Sequence, residues 1–299
     1  MTKARPAVSG PEPTPPRSAG HLARLVLAHA RRQGQSEKRT RDWISYMAVG
    51  GALERTGGQG VDAHFTLKGG VALELRRQGR ARATKDLDVS YRGPETMDLV
   101  SVVEEALSMP YGRFTFQRTG NPLSMPRANT VRIDIKVRFH GSAWGTVILD
   151  VNLGEGTSTE IEMVDAFDLG AAFGIQGPRQ LPCLSLRHHI AQKIHGMTLP
   201  PINAESPNER VQDAIDILLF RDEFAAAAML TGLREACEEI FRARASHDWP
   251  PAFSPPAHWR EVYVTLAEEL NIPTDDFDTA TSEIRAFIRD VANAKGVQG

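Results

Sequence analysis

The chain has 299 residues, with 35 Lys and Arg against 37 Asp and Glu and a formal net charge of −2. No stretch approaches the roughly 20 apolar residues of a membrane helix, and the first residues lack the apolar core of a secretory signal. A cytoplasmic protein with one large or two modest domains is expected, and no membrane partner.

Pro6 to Ser18 is proline-rich, so residues 1–20 are expected to form a disordered tail. From about His21 to Thr56 two apolar stripes at helical spacing follow, Leu22, Leu25, Val26 and Ala30, then Ile44, Met47, Ala48 and Ala52. Gly57-Gly58-Gln59-Gly60 reads as a loop. The most informative stretch comes next, Lys68-Gly69-Gly70-Val71-Ala72-Leu73, then Arg82-Ala83-Thr84-Lys85-Asp86-Leu87-Asp88. Val71 to Gln78 has the apolar stripe of a short helix, with Gly79 as its stop, and Leu87 to Tyr91 alternates as a half-covered strand does. Period-two geometry puts Asp86 and Asp88 on one side of that strand. Two converging carboxylates repel unless a cation lies between them, and hard oxygen ligands suit Mg²⁺ or Mn²⁺. Bare glycine N–H groups at a helix start suit phosphate. Arg76, Arg77, Arg80, Arg82 and Lys85 make a local basic cluster in a slightly acidic chain, which again points to phosphate.

A glycine pair alone is usually a turn, and Asp-x-Asp alone is usually a solvated strand end. Together each supplies what the other lacks. The combined pattern Lys68-Gly69-Gly70-x-Ala72-Leu73 with Arg82-x-Thr84-x-Asp86-Leu87-Asp88 resembles the AbiEii/AbiGii-type nucleotidyltransferase toxins, within the polymerase-β-like superfamily. The resemblance implies an α+β fold: a polymerase-β-like core with a mixed sheet, followed by a C-terminal helical domain. It also implies a third carboxylate on a later strand. Val131 to Val137 alternates strictly, with Asp134 beside Arg132 and Lys136 on a polar face, which reads as a solvated charge ladder. Val147 to Leu153 is almost wholly apolar around Asp150, where an unpaired charge is costly. Asp150 is therefore favoured as third ligand, and Asp134 is the alternative.

Leu186 to Met197 reads as a helix whose apolar stripe, Leu186, Ile190 and Met197, includes Lys193. Lys193 matches a family lysine, in Gln192-Lys193-Ile194 where the family's usual Glu is Gln192. The resemblance implies that it meets triphosphate charge. On the next helix, Val211 to Phe220, Asp213 and Asp216 face apolar neighbours, and Arg210 is the intrahelical partner for Asp213. The Arg-x-x-Asp-x-x-Asp resemblance marks Asp213 as functional, whereas Asp216 reads as structural. An Asp213–Lys193 pair is expected in the empty enzyme. Helices are also expected at Phe224 to Arg244, Trp259 to Leu270 and Thr281 to Ala294, giving domains at 21–180 and 181–299. Cys183 and Cys237 read as reduced core thiols. His188, His189 and His195 lack any zinc-site spacing.

The reading that results is a metal-dependent transfer of NMP from an NTP to an acceptor hydroxyl. Asp86, Asp88 and Asp150 are its metal ligands; Lys68, Gly69, Gly70, Arg82, Thr84 and Lys193 bind the nucleotide, with Lys193 and Asp213 also counted as catalytic. The resemblance implies RNA such as tRNA as acceptor, a toxin–antitoxin or phage-defence setting, and a cognate antitoxin. Alternatives are a small-molecule or protein acceptor, a glycosyltransferase, and a catalytically idle binding protein.

Overall fold

The structure, a computed structural model, describes residues 13–56, 60–77, 84–93, 98–125, 129–153, 160–201, 207–270, 272, 274 and 276–295. Expectations on Gly57 to Gln59, Gly79, Arg80, Arg82 and the first twelve residues lie outside that set. The described residues group into two compact units. The first holds residues 13–67, 84–153 and 163–182; the second holds 68–77, 160–162 and 183–295, apart from the undescribed positions. The helix after the glycine pair and the ends of β1, β6 and β7 group with the helical unit.

In the first unit, α1 (Ala19–Gln33) starts where the Ser18 hydroxyl accepts from the His21 N–H, and stops at Gly34 in the left-handed region, φ 65°. Pro16, just before it, is buried, and its carbonyl lies 3.2 Å from His140 Nε2, so this end of the proline-rich segment packs on the domain. α2 (Glu37–Glu54) is capped by Ser36 and is buried continuously from Ile44 to Leu53. A Cβ on Gly51 would meet the Tyr111 ring at 2.5 Å, so only glycine admits that approach. α4 (Leu99–Leu107) and α5 (Leu169–Phe173) complete the helices of this unit, each capped by an aspartate side chain.

Seven strands form one mixed sheet: β1 (Phe65–Lys68), β2 (Asp86–Tyr91), β3 (Phe114–Met125), β4 (Thr130–Phe139), β5 (Ser142–Leu153), β6 (Ile161–Asp165) and β7 (Gln180–Leu184). Their order is β3-β4-β5-β2-β1-β7-β6. β3, β4 and β5 form an antiparallel meander, and β5 pairs with β2 in parallel. One face of the central strands is core: Leu87, Val89 and Tyr91, then Ile133, Ile135, Val137 and Phe139, then Val147, Leu149 and Val151. Period-two alternation puts Asp86, Asp88 and Ser90, Arg132, Lys136 and Arg138, and Asp150 and Asn152 on the other face. The Ser90 hydroxyl donates to Asn152 Oδ1 at 2.8 Å, as that shared face requires.

The second unit is helical: α3 (Gly69–Arg76), α6 (Leu186–Thr198), α7 (Val211–Phe220), α8 (Ala227–Arg244), α9 (Trp259–Leu270) and α10 (Phe277–Asn293). Its core joins Leu73 of α3 to Ile190 and Ile194 of α6, Ile215 and Phe220 of α7, and Trp259 and Tyr263 of α9. Asn208 closes α6, donating from Nδ2 to the carbonyls of Gly196, Met197 and Leu199 at 3.0–3.2 Å. Trp249 rests against Phe241, ring centroids 5.2 Å apart, which is packing within the helical unit. Cys183 and Cys237 are free and buried, and burial pushes the Cys183 thiol up to about 12.

His195 is buried in α6. Its Nδ1 accepts from the Arg244 guanidinium at 3.2 Å, so Nε2 carries the proton shared with Ser246 Oγ at 2.8 Å. Burial first, then the charges of Arg244, His247 and Arg210, push its pKa down to about 3. A histidine lowered this way is neutral when folded, yet takes a proton when unfolded below about 6.5. Its contribution to stability is full above that value and is lost as pH falls toward about 3. Urea denaturation at stepped pH is expected to show the wild type losing more stability than His195→Gln across that window. Parallel curves would refute it.

Candidate active site

The expected carboxylates lie in the first unit. β2 opens with Asp86, Leu87 and Asp88; the leucine is buried and both acids are half-buried on the opposite face. In the parallel register Asp88 stands across from Asp150, and in the antiparallel register Arg132 stands across from Asp150 on its other side. Asp150 is therefore flanked by an acid and a base, one on each neighbouring strand. Arg132 forks onto it, Nε to Oδ1 and Nη2 to Oδ2, both at 2.7 Å. The same Nη2 lies 3.7 Å from Asp86 Oδ2. Hydrogen bonding to Asp150, opposed by burial and assisted by the charges of Asp150, Asp86 and Asp88, raises the guanidinium pKa above its usual value. The Thr84 hydroxyl donates to Asp86 Oδ1 at 3.1 Å, and the Thr84 carbonyl accepts from the Tyr46 hydroxyl at 3.3 Å. Of the two acids weighed as third ligand, Asp150 is buried beside Asp88, whereas Asp134 is exposed opposite Ile148.

Three carboxylates on two adjacent strands are a hard oxygen donor set of the kind a small divalent ion takes. Among the described residues, however, no group of three acidic, histidine or cysteine side chains is arranged to hold a metal ion as it stands. Both Asp150 oxygens are engaged by Arg132. The donor chemistry fits, and Arg132 supplies the positive charge beside it.

The glycine pair and Lys193, expected to bind phosphate, lie in the second unit. Lys68 is the N-cap of α3 without a side-chain cap bond, and Gly69 begins the helix at φ 61°. That conformation costs an L-residue about 1–2 kcal/mol. Gly69→Ala is therefore expected to lower unfolding free energy by about that amount, read by urea denaturation; an unchanged midpoint would show that the turn relaxes. Farther along this unit, Lys193 of α6 reaches across to α7. Its ammonium lies 2.8 Å from Asp213 Oδ1 and 2.8 Å from Asp216 Oδ2. Arg210 donates to the other Asp213 oxygen at 3.2 Å. Burial pushes the Asp213 carboxyl up, but the charges of Lys193 and Arg210 outweigh it and hold the group below its usual range. The expected pairing of Lys193 with Asp213 is present, and Asp216 shares the same ammonium.

Residues 52–291 match the family described as Nucleotidyl transferase AbiEii toxin, Type IV TA system. The chain belongs to the AbiEii nucleotidyltransferase toxin family. It is accordingly an enzyme of the transferase class. The solved structure of MenT4, a nucleotidyltransferase toxin from Mycobacterium tuberculosis H37Rv, is similar in fold: TM-score 0.56 at 14% identity, covering 93% of this chain and 91% of that one. Curated proteins give no sequence match. The α+β fold with a mixed sheet, expected from the resemblance, is the fold observed.

Within this AbiEii-family chain, the helix residues around Lys193 have structural duties of their own. His188 Nδ1 shares a proton with the Ser185 hydroxyl at 2.9 Å, and its Nε2 lies 3.4 Å from Glu239. Arg76 of α3 donates to Glu162 at 2.8 Å and to the Leu184 carbonyl at 2.7 Å, so this member of the expected basic cluster ties the unit together. Arg77 lies over the Phe220 ring, 5.7 Å from its centroid. Arg82 lies outside the described residues. Arg132 was not among the expected site residues; its alternation with Lys136 reads as a surface ladder, and only strand register brings it to Asp150.

Proposed function

We propose that this AbiEii-family enzyme moves an NMP group from an NTP to a hydroxyl of an RNA acceptor such as tRNA, with Mg²⁺ or Mn²⁺ held by Asp86, Asp88 and Asp150. The observation that carries the reading is the facing of Asp88 and Asp150 across parallel β2 and β5, with Asp86 beside them. The ion, when bound, supplies Lewis-acid charge at phosphate oxygens. Thr84 orients the Asp86 carboxylate through its hydroxyl. Asp150, opposite Asp88, is the carboxylate assigned to orient the attacking hydroxyl. Gly69 and Gly70 are assigned to the triphosphate by their N–H groups at the start of α3 and Lys68 by its charge, and Arg82 and Lys193 to the charge that develops on the departing pyrophosphate. Asp213 is assigned to hold Lys193 until nucleotide replaces it.

An RNA acceptor is supported by one face of β4, where Arg132, Lys136 and Arg138 outnumber the single acid Asp134 and alternate with buried Ile133, Ile135, Val137 and Phe139. Backbone phosphate is what such a cationic row attracts. Membership of a type IV toxin–antitoxin family supports a cognate antitoxin and, by extension, a role in phage defence. No described helix is long and apolar enough to cross a membrane, and action in the cytoplasm belongs to the same proposal.

The test incubates the protein with each α-³²P-labelled NTP, total RNA, Mg²⁺ and pyrophosphatase. Label on RNA is expected, and its loss on adding EDTA. Label on protein or on a small hydroxylated molecule, with none on RNA, would replace the acceptor but keep the chemistry. No transfer to any acceptor would overturn the reading.

A further inference from the structure

Arg132 occupies the place where three carboxylates need positive charge. It forks onto Asp150 with two hydrogen bonds of 2.7 Å, and Nη2 also reaches Asp86 at 3.7 Å. Asp150 is 9% exposed and Arg132 is 36% exposed at the side chain. The acid is therefore fixed in the sheet, while the base reaches it from an open face. The fork takes one lone pair on each Asp150 oxygen, so a divalent ion drawn in among the three carboxylates sets a second positive charge against the guanidinium and weakens its hold. The guanidinium also has a second natural partner, since its planar donor fork matches phosphate as well as carboxylate.

We propose that Arg132 is a positioning residue that exchanges partners: it neutralises the Asp86–Asp88–Asp150 cluster until a divalent ion enters, then turns to the phosphate of the incoming nucleotide. This rests on the nucleotidyl-transfer reading above. The exchange makes metal and nucleotide loading cooperative. Without nucleotide, an entering ion displaces Arg132 from charge-assisted bonds and leaves it uncompensated; with nucleotide, the displaced arginine finds a phosphate. The ion then binds more tightly to the nucleotide complex than to the protein alone, and by linkage the nucleotide binds more tightly to the metal-loaded protein.

Mn²⁺ binding, followed by electron paramagnetic resonance, separates the possibilities. It is measured on wild type, Arg132→Ala and Arg132→Lys, without nucleotide and with a non-hydrolysable NTP analogue. Without nucleotide, Arg132→Ala is expected to bind Mn²⁺ roughly ten- to a hundredfold more tightly than wild type, the equivalent of the lost charge-assisted bonds. Arg132→Lys keeps the charge without the fork and is expected to fall between. The gain in Mn²⁺ affinity on adding nucleotide is expected to shrink in Arg132→Ala. A purely structural arginine would instead weaken Mn²⁺ binding together with thermal stability. Mn²⁺ affinity in both variants at or below that of wild type would overturn the exchange. Asp86→Asn/Asp88→Asn is the control on the underlying site. Binding lost in that control but indifferent to Arg132 sinks only the exchange, whereas binding that persists there sinks the metal assignment as well.

Discussion

Asp86→Asn and Asp88→Asn are each expected to lower NMP transfer at least about a thousandfold, corresponding to about 4 kcal/mol of transition-state stabilisation. Both substitutions remove one charge and almost no volume. The carboxylates are half-buried on the open face of β2, opposite the buried Leu87, so neither supports the core. Stability should respond little, and in a favourable direction. With Asp88 neutral, Asp150 loses a like charge directly across the strand pair, and with Asp86 neutral the cluster around Arg132 comes closer to balance. The discriminating result is thus a large fall in transfer with an unchanged or slightly raised melting temperature. Single-turnover transfer of labelled NMP, with melting followed on the same samples, gives both quantities. Transfer within tenfold of wild type in either variant would remove the acid pair from the chemistry. Equal losses of rate and stability would recast it as a folding element.

Asp150→Asn must behave differently, because Asp150 is bound at both oxygens by Arg132. An amide offers one acceptor and one donor in place of two acceptors, so one guanidinium N–H faces an NH₂ group. Some loss of stability is expected beside the loss of rate, and only the comparison with the β2 acids separates the two.

Much of this site is legible in the linear chain because its signals are local. Asp86 and Asp88 are two residues apart on one strand, and period-two geometry alone puts them on one face. Asp150 is legible for a thermodynamic reason: an acid inside a Val-Ile-Leu run needs a partner or a duty. Its partner was not legible. The choice of Arg132 depends on the register of β4 on β5, in which Arg132 meets Asp150 while Asp134 meets Ile148. A slip of two residues would put Asp134 in place of Arg132 across from Asp150; what fixes the register is the two-residue His140-Gly141 turn, with φ 49° and 75°, between Phe139 and Ser142. α7 and α9 run over the bounds expected from their periodicity, Val211–Phe220 and Trp259–Leu270, since amphipathic helices announce themselves by spacing. β3 left no comparable signal. It is an edge strand with exposed Gly120 and Asn121, and Leu123 is 57% exposed, so its alternation is blurred by solvent on both sides. The grouping of α3 with the helical unit was equally hidden. Leu73 belongs to the core of Ile190 and Ile215, a long-range choice that an eight-residue helix cannot declare.

Lys193→Met is expected to cost about 3–5 kcal/mol of stability, because it leaves two buried carboxylates without their shared ammonium. Asp216 is fully buried, Asp213 nearly so, and the Lys193 Nζ lies 2.8 Å from each. Methionine keeps most of the side-chain volume, so the loss reports charge rather than a cavity. Arg210 can still serve Asp213, but its side chain is 63% exposed and its contribution is screened. The melting temperature of the helical unit should fall by roughly 6–20 °C. The wild-type arrangement also has a pH signature. The Asp213 carboxyl is held below its unfolded value of about 3.9, so its stabilisation is present at neutral pH and is lost as pH falls through the folded value. In Lys193→Met that acid dependence should flatten or reverse, since an uncompensated buried carboxylate is better protonated. Adding Asp213→Asn and Asp216→Asn to Lys193→Met removes the stranded charges and should restore most of the lost stability. That triple variant is the decisive one for function, because it folds without the ammonium. If it transfers NMP at the wild-type rate, Lys193 is a structural counter-ion only; if it is stable yet loses transfer and nucleotide affinity while Asp213→Asn/Asp216→Asn, which keeps the lysine, retains them, the lysine acts on the triphosphate. A Lys193→Met protein melting within about 2 °C of wild type would show that the two acids are already neutral in the fold, and the charged triad would have to be abandoned.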